Sequence, residues 1–363
     1  MVKLSGYITN INVFKKGLNY FFKFMFGENS TMKRKINLIS ALIQWKILER
    51  ERLSSYPIKV NIDPGNICNL HCKACPTGVG LEGRNKGLIN WGTYKKIIDE
   101  IGDYLFEVDL YSWGEPFLHR QIFDMVEYAN QKKITTIISS NFMVFNDEIC
   151  EKIIKSQLSL LIVSLHGGSQ ESIDSYQVGT DFNKVINNMK KIVEMKNKLK
   201  SNKPFIQWRM VVTKYNEHEI EKVQKMAKEI GVNRLELAPY RCDMATEVLM
   251  SNERQFETAK TFLPKDEGYS MYNYSKKEKK NIKNDDCIWL FMQAAVNWNG
   301  SVSPCCAIWH EKFDFGNISE KPFLEIWNNE KYIAARRLNR KNYKPDPKLG
   351  LVCATCYKNQ AQI

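Results

Sequence analysis

The segment CNLHCKAC, residues 68–75, sets Cys68, Cys72 and Cys75 in a C-x3-C-x2-C pattern just after a predicted strand. Three thiolates can ligate only three irons of a cubane, so a fourth iron held there keeps an open coordination site for chemistry. Zinc and ordinary buried thiols are the competing readings. Zinc needs a fourth, tetrahedral ligand, and His71, adjacent to Cys72, is badly placed to turn back and supply it.

Outward from this loop, short β-rich runs alternate with amphipathic ones. Strands are expected at 58–62, 107–112, 134–139, 158–165, 205–213 and 234–238. Between them TYKKIIDEI, QIFDMVEYA, DEICEKII, FNKVINNMKKIVEM and EIEKVQKMAKEI carry helical periodicity, the last ended by Gly231. Six βα units specify an α/β fold with a parallel sheet and right-handed crossovers. Sites in such sheets gather at the carboxyl ends of the strands.

The cysteine pattern in this setting resembles the signature of the radical S-adenosylmethionine (radical SAM) superfamily, with Ala74 where that family usually has an aromatic. The resemblance implies an open three-quarter (β/α)6 TIM-like barrel over residues 57–263. It implies a [4Fe-4S] cluster on Cys68, Cys72 and Cys75, with S-adenosylmethionine (SAM) chelating its open iron. SWGEP, residues 112–116, resembles the family's GGE motif with Trp113 in the first glycine position. Gly114 would let backbone approach the ligand, and Glu115 would accept a charge-assisted hydrogen bond from the methionine ammonium. SSNF (139–142) resembles S/T-N-G and makes Asn141 a methionine contact; SLHG (164–167) resembles S-[IL]-D-G and makes Ser164 a ribose contact. His166 stands where relatives often have Asp, and reads either as a substrate contact or as a hydrogen-bonded structural histidine. YQVGTDF (176–182) resembles Y-R-x-G-x-x-F with Gln177 in place of the arginine.

Cys242 follows the sixth strand, where a thiol can donate a hydrogen atom to a substrate radical; an inert buried thiol is the alternative. Arg209, Tyr240, Arg241 and Asp243 are substrate candidates by strand-end position, and Cys150, inside DEICEKII, reads as core.

Residues 264–286 are charged and aperiodic, which reads as a solvated linker. After it come Cys287, a hairpin turning at Asn299-Gly300 and closing at Cys305, the helical stretch FLEIWNNEKYIAARRL, and Cys353 and Cys356 in C-x2-C. Four thiolates suit a closed cubane or a structural zinc. The arrangement resembles the twitch domain, a shortened SPASM domain, and implies one auxiliary [4Fe-4S] cluster over 287–363, with Cys306 competing against Cys305 as ligand.

The 363 residues, 44% of them hydrophobic, can bury one large domain and a smaller one. Ten cysteines without a secretory pattern point to metal binding in a reducing cytoplasm. No run approaches the roughly 18 apolar residues of a membrane span. A net charge of +13 suits an anionic substrate, a membrane surface or an acidic protein partner. Residues 1–56 interleave lysines with aromatics, as in Lys15, Lys16 and Lys23 around Phe14, Tyr20, Phe21 and Phe22. They read either as an interfacial helix making peripheral contact with anionic lipid or as helices across the barrel bottom or a loose arm. They lack the strand-rich winged-helix pattern that peptide-modifying relatives often carry.

By resemblance, the expected activity is reductive cleavage of SAM to a 5′-deoxyadenosyl radical, with an electron from a flavodoxin- or ferredoxin-type donor. Hydrogen abstraction from a small molecule would follow, oxidising or epimerising a hydroxyl-bearing carbon of a sugar or aminocyclitol-like compound. A maturase acting on a peptide or protein side chain is the alternative. A third reading is a non-catalytic metal module on nucleic acid, although nucleic acid is not an expected partner.

Overall fold

A computed structural model of the chain describes residues 21–22, 24–241, 260–275, 278–279, 287–338 and 343–359. Residues 1–20, Cys242, Asp243 and the end of the expected linker (280–286) lie outside them.

Successive side chains on a strand point to opposite faces, and in the first six strands the two faces are chemically unlike. These are β1 (Lys59–Ile62), β2 (Glu107–Asp109), β3 (Thr135–Ser140), β4 (Leu160–Ser164), β5 (Phe205–Val212) and β6 (Arg234–Pro239). Val60, Ile62, Val108, Ile138, Leu161, Val163, Trp208 and Met210 share one buried core with apolar side chains of the crossover helices. Those helices include α2 (Trp91–Ile101), α3 (Ile122–Gln131), α4 (Asp147–Lys155), α5 (Gln170–Tyr176), α6 (Phe182–Lys198) and α7 (Ile220–Ile230). The strand residues between those apolar ones face inward and are largely polar. The six strands pair in parallel in chain order. Hydrogen bonding does not close the ring, so the architecture is the open partial barrel the motifs implied.

The cysteine-bearing C-terminal segment joins this sheet directly. β7 (Gln293–Val296) pairs in parallel with β1, and β8 (Ser301–Ser303) and β9 (Gly316–Asn317) continue it antiparallel, giving the order β9-β8-β7-β1-β2-β3-β4-β5-β6. Gly300, at φ +80°, makes the turn between β7 and β8.

One expectation needs correction and another is refined. The first part of the expected solvated linker is packed: Tyr272, together with Phe262 and Tyr240, forms a buried aromatic cluster, because its aromatics find Tyr176 and Ala74 to cover. The stretch FLEIWNNEKYIAARRL is two helices, α8 (Phe323–Trp327) and α9 (Glu330–Arg337). Asn328 leaves the helix to bind the backbone N–H and C=O of Leu53, and Asn329 caps α9 by accepting from the Tyr332 amide.

Upstream of β1, α1 (Met32–Leu42) crosses the barrel floor. Its buried Arg34 donates to the carbonyls of Asn29, Gly102, Lys132 and Lys133, and the last three belong to the segments entering β2 and β3. No helix among the described residues is long and apolar enough to cross a membrane.

Candidate active site

The loop after β1 is held from three sides. Its approach pairs with residues 85–89 through Ile89 N to Pro64 O (2.9 Å), Asn66 N to Gly87 O (3.2 Å) and Asn66 Nδ2 to Asn85 O (2.8 Å). The cysteine stretch itself donates His71 N to Val178 O (2.9 Å) and Lys73 N to Tyr176 O (3.0 Å). From below comes SWGEP: Glu115 N donates to Ile67 O (2.9 Å), and a Cβ on Gly114 would stand 2.0 Å from Gly65 O. No side chain fits there.

Cys68, Cys72 and Cys75 lie on this loop without a disulfide. Burial pushes all three thiols up; the charge of Cys75 adds to this at Cys68, and those of Cys75 and Cys68 at Cys72. Their sulfurs attract donors: Leu70 N (3.4 Å) and Asn141 Nδ2 (3.8 Å) reach Cys68, and the backbone amides of Gly78 and Thr77 oppose the rise at Cys75. Desolvated sulfurs ringed by N–H donors suit soft thiolates on a cationic iron cluster. Among the described residues no three Cys, His, Asp or Glu side chains meet closely enough for a lone ion; His71 is exposed.

The expected SAM contacts lie at consecutive strand ends. Glu115 is buried, its Oε1 accepting from Phe117 N (3.0 Å) and Ser140 Oγ (2.8 Å) and its Oε2 from Asn141 N (2.8 Å). Burial raises its carboxyl to about 7, against the pull of those three donors. Asn141 in turn donates to Asn69 Oδ1 (2.9 Å) beside Cys68 and accepts from Met143 N (3.0 Å). Gly114, Glu115, Asn141 and Cys68 therefore form one connected unit. Ser164, at the end of β4, shares a hydrogen bond with Ser139 Oγ (2.9 Å). Gln177, in the expected arginine position, staples the next turn by donating to Ser164 O (2.8 Å) and accepting from His166 N (3.1 Å).

His166 is lowered to about 4 by burial and by Arg209; its Nδ1 accepts from Val211 N (3.1 Å). It is a neutral ring held by backbone. Around Ala74, Tyr176, Tyr240 and Phe262 pack edge to face. This places Tyr240 among aromatics beside the cysteine loop.

The inward strand face sets the expected candidate Arg209 among Lys59, Glu107, Asp109 and Glu236, which sequence reasoning missed. Lys59 Nζ sits 3.0 Å from Asp109 Oδ2 and 3.6 Å from Glu107. Arg209 Nε donates to Glu236 Oε2 (2.6 Å) and its guanidinium also feels Tyr111. Asp109 is 5% exposed, and its Oδ1 is buried without a hydrogen-bond partner. The signal was present in GluValAspLeuTyr (107–111), where polar and apolar residues alternate with period two.

The C-terminal cysteines form a second set. Cys287 and Cys353 each feel Cys356, and Cys305 feels its neighbour Cys306 first and then Cys287 and Cys353. Backbone amides of Trp289 and Leu290 point at Cys287, and that of Ala307 at Cys305. Cys306, although adjacent to Cys305, itself feels Arg241, Asp109 and Lys59. Burial raises Cys287, Cys305 and Cys353 as it does the first three, and with Cys356 they are the candidate ligands of a fully ligated cluster. The two sets are strapped together by residues 82–87: buried Arg84 binds Asp314 at 2.8 and 2.9 Å and Trp309 O at 2.8 Å, while Trp309 Nε1 donates to Glu82 O. Trp113, in the first glycine position of the motif, packs edge-on against Trp309.

The family model of the radical SAM superfamily matches residues 62–227, and that of the iron–sulfur cluster-binding SPASM domain matches residues 287–357. The chain is 23% identical over 301 residues to the tungsten-containing aldehyde ferredoxin oxidoreductase cofactor-modifying protein of Pyrococcus furiosus, covering 76% of this chain and 82% of that one. It is 26% identical over 291 residues to the AdoMet-dependent heme synthase of Methanosarcina barkeri, covering 72% and 79%. Among solved structures, Streptococcus suis SuiB bound to its precursor peptide SuiA aligns with a TM-score of 0.60 at 17% identity, over 95% of this chain and 84% of that one. At that identity the likeness concerns the fold. The two matched domains bring a SAM-binding [4Fe-4S] cluster, an auxiliary cluster and SAM as cofactors. The chain belongs to the radical SAM superfamily and carries a C-terminal SPASM iron–sulfur domain.

Proposed function

We propose that this enzyme oxidises or epimerises a hydroxyl-bearing carbon of a polar small molecule, such as a sugar, an aminocyclitol or a phosphorylated relative, inside the barrel. The observation that carries the reading is the charged inward face. Asp109 Oδ1 lacks a partner among the described residues, so a substrate hydroxyl or ammonium would complete it, and Lys59 and Arg209 offer cations for an anionic group. A site built from buried polar groups rejects molecules that leave them unpaired. When bound, the cluster on Cys68, Cys72 and Cys75 supplies one electron that splits SAM into methionine and a 5′-deoxyadenosyl radical, which takes a hydrogen atom from substrate. Asn141 and Glu115 hold the backbone where the methionine end would lie, and Ser164 offers a hydroxyl to the ribose. The aromatic cluster of Tyr176, Tyr240 and Phe262 packs against Ala74 of the loop. Cys242 and Asp243, outside the described residues, stay candidates for hydrogen donation and substrate contact.

The curated relatives named above act, by their names, on cofactors, which are small molecules. In the described part of the N-terminal extension, residues 21–22 and 24–56 contain helix and no strand, which gives the peptide alternative no strand-rich recognition module. We place the enzyme in a reducing cytoplasm with a flavodoxin- or ferredoxin-type electron donor.

The test is incubation of reconstituted enzyme with candidate sugars and aminocyclitols in D2O. Deuterium at an inverted carbon indicates an epimerase, and an oxidised product without deuterium a dehydrogenase. Asp109→Ala is expected to raise KM at least about a hundredfold while substrate-free SAM cleavage continues, consistent with loss of a buried charged contact. Turnover of peptides but of no polar small molecule would overturn the reading.

The second cysteine set makes a separate prediction. Cys305→Ala should lower iron from about eight to about four per chain, whereas Cys306→Ala should leave it unchanged, as measured by iron analysis of anaerobically reconstituted protein. The opposite pattern would assign the ligand to Cys306.

A further inference from the structure

Helix α1 is amphipathic in the wrong sense for a helix whose outer face meets water. Its side chains turned into the protein include Arg34, Asn37 and, in the helical turn that follows, Gln44. They answer backbone groups: Arg34 binds four carbonyls, Asn37 binds the N–H and C=O of Tyr56, and Gln44 accepts from Ser54 N. The positions turned outward between 32 and 47 are Met32, Ile36, Ile39, Ile43 and Ile47, accompanied only by Lys33 and Lys46. Ile36 is 61% exposed and Ile47 72%. Of the fourteen large hydrophobic residues exposed among the described residues, eight lie between Phe22 and Leu48. A stripe of this kind on a soluble surface marks an interaction face.

We propose that this stripe seats the enzyme on an anionic lipid bilayer, with α1 lying in the headgroup plane. Charge chooses the occupant. The first 56 residues hold ten lysines and arginines against three glutamates, so a small part of the chain carries more than half of its +13. A two-fold contact between copies would bring two such segments together, whereas an anionic surface attracts them. Outward positions restricted to large apolar residues and lysine are also the composition of an interfacial helix. Because α1 underlies the segments entering β2 and β3, the docked enzyme turns the strand ends bearing Cys68, Cys72 and Cys75 away from the lipid. Its substrate then arrives from the aqueous side.

The test is co-sedimentation of full-length, cluster-loaded enzyme with vesicles of phosphatidylcholine, with and without about one third phosphatidylglycerol. The enzyme is expected to sediment with the anionic vesicles and to cleave SAM there as fast as in solution. The triple variant Ile36→Asn, Ile39→Asn, Ile43→Asn should weaken binding at least about tenfold. The outward pair Lys33→Glu, Lys46→Glu should do the same, with circular dichroism as the folding control, which keeps the test decisive if the triple variant fails to fold. Equal sedimentation of parent and charge-reversed enzyme, or none with either vesicle, would overturn the proposal. So would light scattering that shows a vesicle-free dimer of the parent made monomeric by the triple variant, since the stripe would then serve a second copy.

Discussion

Gly114→Ala is expected to reduce both SAM binding and SAM cleavage by at least about a hundredfold, the order of loss that a displacement of about 1 Å at a reacting centre causes. The added Cβ would meet Gly65 O at 2.0 Å and Ile67 O at 2.7 Å. Both are backbone atoms, so neither can swing aside as a flexible side chain would. Relief requires the loop before Cys68 to part from the loop after β2, breaking the Glu115 N to Ile67 O bond and shifting the Glu115–Asn141–Cys68 unit with it. Equilibrium SAM binding and deoxyadenosine release, with circular dichroism as the folding control, measure the effect. Activity within a few fold of the parent would mean that the contact between these loops does not position the site.

Arg84→Leu is expected to have the largest effect on stability, about 3–5 kcal/mol, as found when one partner of a buried ion pair is removed. The Arg84 side chain is 0% exposed and its Asp314 partner 9%. Its loss also removes the Nε–H donated to Trp309 O and leaves the Asp314 carboxylate with the hydroxyls of Ser301 and Ser303. Because residues 82–87 strap the first cysteine loop to the segment after the second, loosening should show twice. The thermal midpoint should fall by at least about 5 °C, and iron should leave both clusters faster on chelator challenge. A change under about 1 kcal/mol, typical of exposed pairs, would show that the strap carries little.

The barrel was legible because its strands are short apolar runs set apart by amphipathic helices, and the cysteine loop because spacing alone identifies a three-thiolate ligand set. The motif residues Gly114, Glu115, Asn141 and Ser164 were findable from their places after successive strands. Their hydrogen bonds to one another were not, because contacts between neighbouring loops leave no local pattern. The pairing of β7 with β1 joins residues more than two hundred positions apart, and nothing local in either strand names its partner. Arg209 was findable from its place in the fifth strand, whereas Lys59 and Asp109 are charged residues in strands, which in isolation read as a solvated face; only the curvature of the sheet turns them inward. The same ambiguity hid α1, whose isoleucines suggest a face for the core while Arg34 and Asn37 are the residues buried. Asn328 and Asn329 stopped a helix that periodicity alone would have continued.

The central claim is that Cys68, Cys72 and Cys75 hold a cluster that splits SAM. Its most direct test is to supply anaerobically reconstituted protein with SAM and a one-electron reductant and to quantify products by mass spectrometry. The account predicts methionine and 5′-deoxyadenosine in equal amounts, and none once the three cysteines are replaced by alanine. Iron-loaded protein that leaves SAM intact, or a triple variant that cleaves it as the parent does, would contradict the account.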